Sequence, residues 1–190
     1  MKRQIRSSVF ETNSSSTHSI AIPRSCVTTD YVSFRTDEFG WGFEEVDAAD
    51  YFYTAIYETS ETEAEVNEKI ERLKNILDEH GIGYKLRKPK THTSTYENKN
   101  YFYLDNGYID HGYELREFVD ELLNNGDKLV RFISGGLVFT GNDNSDNNGF
   151  ISRDEEFIED YDWNTNTTTR EKNEYYMSNH EDYEWYYKGN

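Results

Sequence analysis

The chain predicts an α+β fold: a single domain with a mixed or antiparallel sheet and about three helices, followed by an acidic, aromatic-rich C-terminal tail. Three observations lead there. Stretches with period-two apolar alternation and stretches with helical spacing come in mixed order, without the strand–helix alternation of a doubly wound sheet. A length of 190 residues suits one domain. Only 35% of the residues are hydrophobic, yet 16 Tyr, 11 Phe and 3 Trp supply large side chains for a core.

The elements follow in order. His18 to Ile22 reads as a short strand that Pro23 ends, and Tyr31 to Arg35 alternates as a second. Phe39-Gly40-Trp41-Gly42-Phe43 reads as a glycine-punctuated aromatic loop. Asp47 is placed to cap a helix from Ala48 to about Tyr57, with Tyr51, Phe52, Ala55 and Ile56 on its apolar face. Ser60 and Glu63 fit a capping box for a second helix that runs to about His80, with Val66, Ile70, Leu73 and Leu77 at helical spacing. Gly81-Ile82-Gly83 would stop it. Ile82–Arg87 and Tyr101–Leu104 read as strands, with a loop over Lys88–Asn100 between them. Tyr108-Ile109-Asp110 is a brief extended piece, and Glu114–Asn124 a third helix with Leu115, Phe118, Val119 and Leu122 inward. Lys128–Ile133 and Leu137–Thr140 are expected to form a hairpin around Ser134-Gly135-Gly136. Residues 1–150 then make the core domain. Residues 151–190, with 11 acids against 4 bases and interspersed Tyr and Trp, make a C-terminal arm.

A formal charge of -17 bounds the partners. It repels nucleic-acid phosphates, so direct nucleic-acid binding by the whole surface is not expected. It suits a protein with a basic surface. Between Asp37 and Glu68 stand 11 acids and no Lys or Arg. Carboxylates held on a rigid surface can imitate phosphates and fill a basic groove; a solvated acidic face is the plainer alternative. Cys26 is the one cysteine, which excludes an internal disulfide framework. No apolar run approaches a membrane span, and none follows Lys2, Arg3 and Arg6 as a signal peptide requires. A cytoplasmic protein is expected.

The densest polar stretch is Phe10–Ser19, joined directly to the apolar Ile20-Ala21-Ile22. Serine catalysis there is awkward: on an extended strand Ser16 and His18 share a face but stand roughly 7 Å apart. A serine nucleophile needs its base within hydrogen-bonding reach. The glycines of a nucleophile elbow and the Lys of a phosphate loop are both missing. The hydroxyls and amides of Asn13–Ser19 could hold an anion, or could satisfy their own backbone through local turns. Asp110, His111 and Asp143 lie near element ends, and with Glu11 and His18 could assemble around a divalent ion. No metal-binding spacing is present, so neither metal nor cofactor is expected.

The string Arg6-Ser-Ser-Val-Phe-Glu-Thr-Asn-Ser-Ser-Ser-Thr-His-Ser19 resembles the opening of a family of uncharacterised proteins of bacteriophages and bacterial mobile elements. Tyr108-Ile109-Asp110-His111 and Thr140-Gly141-Asn142-Asp143-Asn144 resemble later marks of it, so the likeness spans about residues 3 to 144. It implies a phage-like origin and no particular chemistry. It singles out Glu11, Asn13, Ser14, Ser15, Ser16, Thr17, His18, Asp110, His111 and Asp143 as candidate ligand-binding residues. The function expected is that of an acidic phage-type protein that binds and inhibits or redirects a host protein, such as an antiviral defence factor. The alternative is a metal- or nucleotide-dependent enzyme or ligand-binding protein built from the same residues. Virion assembly, which many Tyr at an interface would suit, is a third.

Overall fold

A computed structural model describes residues 16–40, 44–96, 99–110, 115–142, 156–162, 164–173 and 176–188. The chain runs β1 (Ser16–Pro23), β2 (Tyr31–Phe34), β3 (Glu38–Phe39), β4 (Glu44–Val46), α1 (Ala48–Glu58), α2 (Glu63–Glu79), β5 (Gly83–Leu86), β6 (Thr91–Tyr96), β7 (Lys99–Leu104) and β8 (Tyr108–Ile109). It continues through α3 (Leu115–Asn124), α4 (Gly126–Gly135), β9 (Leu137–Asn142), β10 (Phe157–Asp162), β11 (Thr167–Lys172) and β12 (Tyr183–Lys188). The fold is α+β in a single domain. Its largest sheet is antiparallel in the order β12-β1-β9-β4, and the remaining strands pair in twos. Two of those pairs, β2–β5 and β3–β8, are parallel.

Helix α1 is the centre of the packing. Asp47 caps it, its carboxylate accepting from the N–H groups of Ala49 and Asp50. Every residue from Ala48 to Tyr57 is buried, not one face alone. The reason is tertiary: α1 packs against α2, α3, α4 and the strands β2, β7, β8 and β9. Phe52 meets the Phe132 ring edge-on at 6.3 Å, and Phe132 meets Phe118 at 5.4 Å, an arrangement that aligns ring edges with ring faces. Helix α2 buries Val66, Ile70, Leu73 and Leu77, as its spacing predicts. Its end is a Schellman motif: Gly81, at φ +69°, donates to the Asp78 carbonyl and Ile82 to that of Leu77.

Several local expectations need correction. The start of α2 is Thr62, whose hydroxyl accepts from Glu65 N–H, while Ser60 instead donates to the Ile56 carbonyl at 2.6 Å. The stretch Lys128–Ile133 is not a strand but the body of α4. Asn125 caps that helix, its side chain accepting from Lys128 N–H, and Leu129, Val130, Phe132 and Ile133 form the buried face. The presumed loop over 88–100 contains β6, paired in register with β7 from Thr91↔Leu104 to Tyr96↔Lys99.

The segment 151–190, expected to be an arm, contributes a strand to the main sheet. β12 pairs antiparallel with β1, from His18↔Lys188 to Pro23↔Tyr183. A buried cation holds it there. Lys128 Nζ donates to Glu121 Oε1 (2.6 Å) and Glu184 Oε1 (2.7 Å) and lies against the Tyr186 hydroxyl. Tyr186 also meets the Phe118 ring at 5.8 Å. The aromatic residues of this segment thus serve partly as core.

A histidine joins α2 to α4. His80 Nδ1 donates to the Ile76 carbonyl at 2.7 Å, and Nε2 to Asp127 Oδ1 at 3.0 Å. Both nitrogens can donate only when the ring is protonated, and the Asp127 carboxylate raises the His80 pKa above its ordinary value, with the Ile76 carbonyl adding to it. A pKa raised by folding stabilises fully below the unfolded value near about 6.5, and that stabilisation is lost as pH rises through the folded value. Denaturant melts between about pH 5 and 9 should therefore show stability falling through the upper part of that window. His80→Gln should flatten this component; an unchanged profile would remove His80 as its source.

Candidate functional site

Four strand ends meet at His18. The first residue of β1 lies opposite the last of β9, Ser16↔Asn142, and His18 lies opposite Thr140. β3 and β8 run parallel beside them, Phe39 opposite Ile109, and Asp110 N–H donates to the Phe39 carbonyl at 2.9 Å. His18 is fully buried. Its Nε2 donates to the main-chain carbonyl of Asp110 at 2.8 Å. In the neutral ring this leaves Nδ1 to accept from the Tyr51 hydroxyl, 3.2 Å away. Burial raises the Tyr51 phenol pKa well above its ordinary value, so this hydroxyl keeps its proton. Phe39 closes the side of the group, its ring 5.5 Å from that of Tyr51.

Gly40 lets these elements approach. Its φ is +107°, and a Cβ placed on it would stand 2.9 Å from Asp110 Cβ and 3.4 Å from His18 Nε2. Only glycine fits both the backbone and the gap.

Of the residues singled out from sequence, His18 and Asp110 come together, through the Asp110 main chain. Ser16 and Thr17 are placed on β1, opposite Asn142 and Gly141. Glu11, Asn13, Ser14, Ser15, His111 and Asp143 lie outside the described residues. Among the described residues, no group of three or more His, Cys, Asp or Glu is placed to hold a metal ion. Sequence reasoning missed Tyr51 and Gly40. Tyr51 lies on the expected apolar face and is core; nothing local marks the contact that its hydroxyl makes with His18. Gly40 carried a signal in the Phe-Gly-Trp-Gly-Phe run. Compared with family models, curated proteins and solved structures, the chain matches none.

Chemically, the arrangement orients one imidazole between a phenol and a carbonyl. Tyr51→Phe should remove the hydroxyl contact to Nδ1 inside the core and cost about 1–3 kcal/mol. Gly40→Ala should cost roughly 2–4 kcal/mol through backbone strain and the close contact. Urea melts with imidazole nitrogen shifts check both. A Tyr51→Phe protein as stable as the parent, with unchanged His18 shifts, would sink the assignment.

Proposed function

We propose that this chain is a small acidic binding protein of bacteriophage type, acting in the cytoplasm of a bacterial host. It occupies a basic surface on a host protein, such as a nucleic-acid-binding defence factor, and inhibits or redirects it. The observation that carries this reading is a set of exposed carboxylates on rigid elements. On α2, Glu68, Glu71 and Asp78 form an exposed stripe turned away from Val66, Ile70, Leu73 and Leu77. On β4, an edge of the main sheet, Glu44 and Glu45 are exposed. Glu71 pairs with Lys74 at 2.6 Å. Glu44, Glu45, Glu68 and Asp78 are in no ion pair among the described residues. Carboxylates on a helix and a strand hold their spacing, which is what a phosphate-like array needs. Among the described residues, no helix is long and apolar enough to cross a membrane.

A second reading, a metal- or nucleotide-dependent enzyme or ligand-binding protein, draws support from the 2.8 Å contact of His18 with Asp110, two residues 92 apart in sequence. Thermal-shift screening with divalent cations and nucleotides tests it; a flat response removes its support.

For the leading reading, immobilised protein should retain a basic host protein at about 50 mM salt and release it at about 500 mM. Glu68→Lys/Asp78→Lys should weaken retention at least tenfold with the fold intact. Capture that ignores both salt and charge reversal would overturn it.

A further inference from the structure

One stretch of chain, from β5 to β7 with the β2 strand beside it, differs from the rest of this acidic surface. Along β2, Val32 and Phe34 enter the core while Tyr31 and Ser33 face solvent. The parallel register sets Tyr31 beside Gly83 and Ser33 beside Lys85, so Lys85 shares that outer face. A Cβ on Gly83 would stand 3.2 Å from Tyr31 Cδ2. The missing side chain lets the Tyr31 ring lie across the strand. The chain then leaves β5 through exposed Arg87, Lys88 and Lys90 and enters the β6–β7 hairpin. There His92 lies opposite Tyr103 and Ser94 opposite Tyr101, while Phe102 and Leu104 point to the core.

Charge and aromatic exposure coincide on this stretch. Tyr31, Tyr101 and Tyr103 are 56%, 47% and 43% exposed, three of the four large apolar side chains exposed among the described residues. Lys85, Arg87, Lys88 and Lys90 are exposed and in no ion pair among the described residues. Asp105 of the same hairpin lies 3.0 Å from His92 Nε2. From Gly83 to Asp105 there are five Lys or Arg and two acids, in a chain of net charge -17.

We propose that this stretch binds single-stranded nucleic acid. The four cations take phosphates and the three tyrosines offer ring faces to unpaired bases. Cations along a path with exposed aromatic rings are how proteins hold a single strand. A duplex has no free base faces, and an acidic polypeptide would leave the tyrosines without a role. The chain's total charge does not forbid such a local site: at about 0.1 M salt the screening length is about 10 Å, so acids beyond that reach are largely screened, while the nearer ones, Asp30 and the end of α2 beside β5, stand against four cations. What the total charge disfavours is binding over the whole surface.

The test is fluorescence polarisation with labelled oligothymidine and oligouridine of about 12 nucleotides. Unlabelled duplex and polyglutamate serve as competitors. Saturable binding of one or both strands is expected. The slope of log affinity against log salt should be about -3, from four phosphates at about 0.7 each. Lys85→Glu/Lys88→Glu should weaken binding at least tenfold and reduce that slope. Tyr101→Ala/Tyr103→Ala should weaken it roughly tenfold and leave the slope alone. These side chains are exposed, and an unchanged melting midpoint confirms that each variant folds. No saturable binding of either strand overturns the proposal, as do variants that bind like the parent. Competition by duplex or polyglutamate as strong as by the unlabelled single strand overturns it too, because the stretch would then read charge alone.

Discussion

The structure depends on a helix that has no face to water. Because α1 is buried on every side, each polar group it carries must find a partner inside the protein or cost stability. Tyr53 and Tyr57 share one hydrogen bond between their hydroxyls, and the other three reach neighbouring strands and turns. Asp50 accepts from Arg35 N–H (2.9 Å) and Arg35 Nε (2.6 Å). Thr54 donates to the Asp50 carbonyl and accepts from Asp37 N–H at 3.2 Å. Tyr51 donates to His18. The first two groups fix the turn between β2 and β3; the third fixes β1. A helix core that would otherwise be indifferent to register thereby dictates where three strands sit.

His18 follows from that constraint. It stands on a strand of the main sheet, yet both ring nitrogens are claimed by other elements, α1 through Tyr51 and the end of β8 through Asp110. The imidazole is therefore a junction between the antiparallel sheet and the small parallel pair β3–β8. Gly40 is its counterpart on the backbone side, the residue without which β3 and β8 could not close over the ring. A junction of this kind holds strand ends in place, and strand ends are where loops that carry chemistry are anchored.

Much of the fold was legible because its signals are local. Asp47, Gly81 and the spacing of Val66, Ile70, Leu73 and Leu77 each act within a turn or two of helix. What failed had two meanings or no local meaning. Asn125-Gly126 ends one helix and starts the next, so reading it as a terminator hid α4. Leu129, Val130, Phe132 and Ile133 are as apolar as a strand, and only the Asn125 cap decides between the two. β12 has no signal near it: its partner β1 lies more than 150 residues away, and the Lys128 cluster that holds it draws on α3, α4 and β12 together. At the site, polar crowding pointed to His18 and Asp110. Tyr51 was hidden because tyrosine satisfies an apolar pattern and a hydrogen bond at once.

The burial of cations has a further consequence for the surface. Lys69 is buried, donating to the Thr59 carbonyl at 3.3 Å where α1 ends and pairing with Glu65 at 3.0 Å. Lys128 is buried in the same way at β12. Lys69 sits by the last carbonyls of α1 and Lys128 between two carboxylates, where removing the cation would leave charge or carbonyls unpaired. Each is matched by at least one carboxylate, so both signs are spent there and the unpaired charges set the exposed field. Against that field the exposed cations from Lys85 to Lys90 stand out. On the proposals made above, a basic partner would approach α2 and β4, and an anionic single strand the β5–β6 path. Composition fixes the total charge. The fold decides which charges remain to meet a partner.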